Sequence, residues 1–298
     1  MSKEGKKLKL ITHDSTFHAD DIFATAALSL LLNDNIKVIR TRDPELKKTA
    51  DYVYDVGGEY DPARNRFDHH QKGGAGKREN GIPYAAFGLV WKMYGEKICG
   101  LKEVANKIDE SLVQPIDAED NGMNLFKIEG EVGPYLIQGV INAFRPTWKE
   151  DEEFDEPFLE LVVFIRKFLI RKIKKAQDAL LAKSFITKAY EEAQDKKIII
   201  LDDYYPWRDT LLEYEEPLYV VCPKAGKWNI YCVPKEKKSF ENRKPFPSLW
   251  AGLRDEELAN VSGVPDAIFC HNGRFLAVAK SKEGAIKLAE LALLEPNT

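Results

Sequence analysis

The segment from Leu8 to Thr41 constrains the fold more than any other part of the chain. A short apolar run at Leu8 to Thr12, a helical pattern from about Asp21 to Leu32 and a second apolar run at Ile36 to Thr41 follow with brief polar connections. Two strand-length runs joined by one helix predict a parallel βαβ unit, since a helical crossover returns the chain to the sheet in the same direction. A third strand is predicted at Tyr52 to Val56, and Pro62-Ala63-Arg64-Asn65 reads as a turn that brings the chain back toward Asp68. Helical patterns at about Tyr84 to Tyr94, Leu101 to Leu112 and Tyr135 to Phe144 complete an α/β domain over residues 1–150.

The acidic stretch Lys149 to Glu156 precedes Pro157, which opens a long helical pattern to about Gln194; residues 151–195 are predicted to be a connector. Strands are then expected at Lys197 to Leu201, Leu218 to Cys222, Asn229 to Val233, Ala267 to Cys270 and Phe275 to Ala279, with a closing helix over Lys282 to Leu294. The expected class is therefore α/β: a parallel-sheet domain joined by a long helix to a smaller α/β domain, residues 196–298, with a mixed sheet. A chain of 298 residues with 44% hydrophobic content is sufficient for two cores.

Composition excludes several function classes. A formal net charge of -4 argues against a dedicated duplex-binding module, so any nucleic acid is held by local patches. Cys99, Cys222, Cys232 and Cys270 form no C-x-x-C pair, which argues against a zinc ribbon or a disulfide framework and for a reducing, cytoplasmic setting. The N-terminal MSKEGKKLKLITHD fits neither a secretory signal nor a transit peptide. The most apolar long stretch, Phe158 to Ile173, is interrupted by Arg166, Lys167, Arg171 and Lys172, so no membrane span is expected.

Four of the five histidines sit beside aspartates in the first quarter of the chain: His13 and His18 in ITHDSTFHADD, and His69 and His70 in RFDHH. That clustering points to metal chemistry. His13 follows the first strand, with His18 and Asp20 just beyond it, and Asp55 ends the third strand. Open α/β sheets gather ligands at the carboxyl ends of their strands. The turn at Pro62 can carry Asp68, His69 and His70 to the same rim, and the IDAEDNG run supplies Asp120 after a helix as a last ligand. Mixed imidazole and carboxylate donors suit Mn²⁺, Zn²⁺ or Fe, with Mn²⁺ favoured where carboxylates are numerous. Two ions close together would activate water and stabilise the attacking and departing oxygens of a displacement at phosphorus. Each element alone has a plain reading as a cap, a turn or a surface histidine, and His70 could instead be a supporting or substrate-facing residue.

Asp68-His69-His70 matches the signature of the DHH phosphoesterase superfamily. The ordered segments ITHDSTFHADD, YVYDVGGEYD, RNRFDHHQ, IDAEDNG, FRPTW, WAGLRDEEL and IFCHNGRF resemble, more specifically, the melanocyte proliferating gene family over about Lys9 to Leu294. The resemblance implies a DHH domain and a smaller companion domain around a divalent metal centre. It carries metal positions to His13, His18, Asp20, Asp55, His69 and Asp120, with Asp68 and His70 as close supports and catalytic candidates. It also implies phosphoester hydrolysis, commonly with Mn²⁺, and in eukaryotic relatives a 3′-to-5′ action on RNA. Departures are His18 in place of a frequent aspartate, Arg145 in place of a frequent asparagine, and Ala277-Val278-Ala279 in place of a glycine-rich stretch.

For substrate, the glycine-rich basic loop Gln71 to Arg78 supplies Lys72, Lys77 and Arg78, either as phosphate contacts or as a plain flexible loop. Arg254 and His271 are the second-domain candidates, although Arg254 could instead pair with Asp255 or Glu256. The connector's basic residues read as a solvated face, and its apolar ones as core or a homo-oligomer contact. Trp207 and Trp250 read as packing or base stacking. The expected function is a phosphodiesterase with two divalent ions, Mn²⁺ first and Mg²⁺ or Zn²⁺ as alternatives, acting as a 3′–5′ exonuclease on RNA or short oligonucleotides. The alternatives are a small-molecule phosphoesterase or pyrophosphatase, and a non-catalytic metal-binding scaffold.

Overall fold

In a computed structural model, β1 (Leu8–Thr12), β2 (Ile36–Arg40), β3 (Tyr52–Tyr54), β4 (Tyr60–Asp61) and β5 (Arg66–Phe67) form one sheet in the order β2-β1-β3-β5-β4. All neighbours are parallel except the antiparallel pair β4 and β5. The structure describes residues 6–128, 130–237 and 239–295; the reading of the N-terminus falls partly on residues 1–5, outside that range. The chain divides into two units, Met1–Gln177 and Asp178–Thr298.

In the first unit, α1 (Ala19–Leu31) is buried along most of its length, because Ala24, Ala26 and Ala27 let it approach its neighbours closely. Its main partner is α3 (Ala86–Cys99), which follows the short α2 (Pro44–Lys48). Phe23 and Phe87 meet with ring centroids 5.3 Å apart. The expected helix Leu101 to Leu112 is longer and interrupted: α4 (Lys102–Ile108), a wide π-helical turn at Asp109–Val113 and α5 (Gln114–Asp120) run consecutively. Pro115 has no N–H to continue the regular bonding, and the wide turn accommodates it. Asp120 therefore ends a helix, a correction to its expected place after one. The short α6 (Ile137–Asn142) follows.

The long α7 (Asp155–Glu192) supplies Phe158, Leu161, Val162, Ile165, Leu169 and Ile173 to the first core at helical spacing. Its later residues Ala182 and Ile186 belong to a core of the second unit. That unit is built on β6 (Ile198–Ile200), β7 (Tyr219–Lys224), β8 (Lys227–Cys232), β9 (Ala267–Cys270) and β10 (Leu276–Ala279), ordered β6-β7-β8-β10-β9. Only the β6 and β7 pair is parallel, so the sheet is mixed, as expected. Helices α8 (Arg208–Leu211), α9 (Asp255–Ser262) and α10 (Lys282–Leu294) complete it. Trp207 and Trp250 are core residues, each only 4% exposed, which settles them as packing. Among the described residues no helix is long and apolar enough to cross a membrane.

One close approach fixes how α3 meets α5. The Gly88 amide donates to Asp117 Oδ1 at 3.0 Å, and a Cβ on Gly88 would lie 1.8 Å from Asp117 Oδ2. Asp117 is fully buried and also accepts from Arg78 Nη1 at 2.7 Å, so it has little room to yield. Gly88→Ala should therefore destabilise the chain by roughly 1–3 kcal/mol through overpacking, seen as a lowered Tm; an unchanged melt would show that the helices can separate freely.

Candidate metal centre

Strand register brings the donors together. Ile11 is level with Val53, and Tyr54 is level with Phe67. Two residues beyond the first pair stand His13 and Asp55, and one residue beyond the second stand Asp55 and Asp68, so all three lie in one row at the carboxyl edge. Asp55 takes a left-handed backbone (φ 54°) and is followed by Gly57 and Gly58, also at positive φ. Aspartate tolerates that conformation better than most residues, although it costs about 1 kcal/mol. The resulting turn delivers the Gly58 amide to Asp68 Oδ2 at 2.5 Å.

Among the described residues, three groups of side chains offer ligand atoms within reach of a single ion each: His13, His18 and Asp55; Asp55, His69 and His70; Asp20, His69 and Asp120. Asp55 belongs to two of them and so does His69. Asp55 Oδ2 lies 3.2 Å from His13 Nε2, and its Oδ1 lies 3.3 Å from His69 Nε2. His69 Nε2 is also 3.3 Å from Asp120 Oδ2 and 3.9 Å from Asp20 Oδ2. Asp20 additionally accepts the first amides of α3, from Ala86 at 2.8 Å and Phe87 at 2.6 Å, so it caps one helix from the start of another. All six residues expected as metal ligands are thus within one cluster.

The electrostatics of this cluster fit a cation. Asp20 and Asp21 are fully buried. Burial and the neighbouring carboxylates of Asp120 and Asp55 raise Asp20 well above the usual carboxylate range. Burial pushes Asp21 up to about 7 against the pull of His13, and burial with the charge of Asp55 also raises Asp120. Burial opposes ionisation of Asp55 too, yet contacts with His13 and His69 outweigh it and hold this carboxyl well below its ordinary value. The buried Nε2 of His69 and Oδ2 of Asp21 meet no partner in hydrogen-bonding geometry. Crowded carboxylates and an orphaned imidazole nitrogen are the groups that a divalent ion satisfies.

Asp68 has a different part. Its Oδ1 accepts from the amides of His69 at 2.8 Å and His70 at 3.2 Å, and lies 2.8 Å from His70 Nδ1. With Gly58 on Oδ2, both oxygens are engaged in shaping the Asp68-His69-His70 segment. His70 keeps a side chain 61% exposed. The hydrogen bond to Asp68 raises its pKa despite partial burial.

The donors open into a cavity of about 860 Å³ that Arg42, Gln138, Asn142, Arg145 and the Gly57-Gly58 turn also line. Arg145 Nε donates to the Phe17 carbonyl at 2.9 Å, and Arg40 Nη2 donates to that of Ser15 at 2.5 Å, so two guanidiniums grip the loop between His13 and His18. Sequence reasoning passed over Asp21, Arg42 and Gln138 here. Asp21 carries a local signal, since it stands three residues after His18 and accepts the His18 amide at 2.9 Å, as helix starts favour. Arg42 and Gln138 carry none, because only tertiary packing brings them to the cavity.

The expected substrate contacts separate. Lys72 and Lys77 are exposed. Arg78 is bound to Asp109 at 2.8 Å and Asp117 at 2.7 Å with its side chain 7% exposed, so this guanidinium braces the loop from within. In the second unit, Arg254 lies over the Phe269 ring at 4.3 Å, and His271 Nδ1 accepts from the Gly273 amide at 2.9 Å.

The pH dependence of ion uptake follows from His13. Burial depresses its pKa, but Asp55 and Asp21 outweigh burial and raise it to about 9. The ion-free ring is therefore protonated at pH 7, and binding must displace that proton. Calorimetric titration of Mn²⁺ into ion-free protein should show proton release at pH 7 and affinity that strengthens toward pH 9. Because the folded pKa exceeds the ordinary value of 6.5, the stabilisation from charged His13 is complete below about pH 6.5 and disappears as pH rises through about 9. Affinity independent of pH between 6 and 9 would remove His13 from the ligand set.

Comparison with known proteins places these features in a family. The family model MYG1_exonuc, described as "Uncharacterised protein family (UPF0160)", matches residues 9–293. The chain is 32% identical to the MYG1 exonuclease of Rattus norvegicus, covering 95% of this chain and 84% of that protein. It is 31% identical to the human MYG1 exonuclease, covering 95% and 85%, and 32% identical to the MYG1 protein YER156C of Saccharomyces cerevisiae, covering 96% and 95%. A likeness over nearly the full length at this identity means that this chain belongs to the MYG1 family.

Proposed function

We propose that this protein is a divalent-metal-dependent phosphodiesterase that shortens RNA or short oligonucleotides from the 3′ end. The observation that carries the reading is the set of three donor groups, linked through Asp55 and His69, of which all members but the buried Asp20 line one cavity. Relatives named exonucleases support the substrate class. The residues that would hold two ions are His13, His18 and Asp55 on one side, and Asp20, His69 and Asp120 on the other, with Asp55 between them. When bound, such a pair supplies Lewis-acid polarisation and a more acidic water; Mn²⁺ suits the carboxylate-rich set best, ahead of Mg²⁺ or Zn²⁺.

The chain's own residues do the rest. Arg145 and Arg42 line the cavity as donors for the non-bridging phosphate oxygens, while Lys72 and Lys77 extend positive charge along the outer loop. Asp68 holds the Nδ1 side of His70 and leaves Nε2 as the atom that exchanges a proton with the reacting phosphate ester. Arg254 and His271 are proposed as further substrate contacts from the second unit. Four free, buried cysteines agree with a cytoplasmic setting.

Incubation with Mn²⁺ and 5′-end-labelled RNA of several lengths should give a ladder that shortens from the 3′ end. His69→Ala should abolish it. Asp68→Asn should lower kcat by about 10–100-fold while ion content is retained, as expected of a residue that orients ligands. Turnover confined to dinucleotides or pyrophosphate would replace the exonuclease with a small-substrate phosphoesterase, and activity unaffected by His69→Ala would place the chemistry elsewhere.

A further inference from the structure

A second recess adjoins the candidate metal centre. It encloses about 560 Å³, within the range of small-ligand pockets. Its walls are largely apolar: Leu112, Ile116, Leu125, Phe126 and Leu136 line it, with Tyr135 among them. Several of these side chains are unusually open for their type, Leu125 at 48%, Phe126 at 41% and Tyr135 at 77%. Ile116 and Glu119 line this recess and the metal-centre cavity alike, so the two adjoin at these side chains. Neither face of that boundary involves the second unit.

We infer that this recess receives the nucleobase of a bound nucleotide whose phosphate occupies the metal-centre cavity, an inference that rests on the proposed function. The shape and chemistry select a base over other occupants. A planar, weakly polar group attached to a phosphate through one sugar matches an apolar recess that lies beside the donors' cavity across Ile116 and Glu119. Phe126 and Tyr135 provide stacking faces, which are tolerant of base identity. The Glu119 carboxylate at the junction accepts a hydrogen bond from a base amino or imino N–H. Contact at the base makes the last nucleotide of the chain the unit that is recognised, and it separates nucleotide substrates from pyrophosphate.

Calorimetry on the full chain with adenosine 5′-monophosphate and ribose 5-phosphate tests this directly. The nucleotide should bind about tenfold more tightly, as stacking of one base provides. Leu125→Asp and Phe126→Asp, at open positions, should erase that difference and leave ribose 5-phosphate unaffected. Equal affinity of the two probes for the wild-type protein, no binding of either, or variants that weaken both alike would overturn the proposal. A change of oligomeric state in the variants with nucleotide affinity intact would also overturn it, by assigning the recess to a subunit contact. A parallel assay compares kcat/KM on RNA with an intact or an abasic 3′ terminus. Equal values refute base recognition while the hydrolase reading survives; absence of hydrolysis on both defeats the hydrolase reading, whereas base-dependent binding stands.

Discussion

Three parallel strands that end level with one another confine acidic and imidazole side chains to a single rim, and much of the first unit is arranged around that confinement. Like charges at 3–4 Å repel strongly once water is removed. The molecule answers by interleaving imidazoles with carboxylates: His13 lies between Asp21 and Asp55, and His69 lies among Asp55, Asp120 and Asp20. The left-handed turn at Asp55 is part of the same arrangement, because it places one carboxylate against both rings.

Supporting structure surrounds the rim. Asp20 ties the start of α1 to the start of α3, so the same side chain that faces the cluster also fixes a helix. Arg78 with Asp117 and the half-buried Asp109 forms an ionic cluster. A broken pair there would leave a charge without compensation, which makes the cluster important for shape even though a buried ion pair adds little net stability. Arg40 and Arg145 hold the loop between His13 and His18 through its carbonyls, and Arg40 also lies over the Phe158 ring at 4.7 Å.

Much of this was legible in the residues. Leu8–Thr12 and Ile36–Arg40 read as strands because short apolar runs are bounded by polar turns, and Lys282–Leu294 read as a helix, which the structure caps with Ser281. The strands of two residues at Tyr60–Asp61 and Arg66–Phe67 were not legible, since their identity comes only from pairing. Arg78 reads as a free basic residue in a glycine-rich loop, whereas Asp109 and Asp117 from a distant helical stretch claim it. No local signal announces such a partner. Asp120 lies in the cluster, but at the end of a helix rather than after one, since the wide turn at Asp109–Val113 lets the helical stretch continue through Pro115.

The sequence by itself determined which residue types meet: aspartates and histidines follow strand-length apolar runs, and a strand's end must be followed by a turn where polar side chains are free to cluster. It also determined the α/β class, because alternation of short apolar runs with helical periods leaves few other ways to bury them. Only the tertiary structure decided the rest. Strand register sets whether His13, Asp55 and Asp68 stand in one row, and helix packing sets whether Asp20, Asp120 and Arg145 reach it. Register and packing depend on contacts between residues far apart in the chain, and no local pattern encodes those distances.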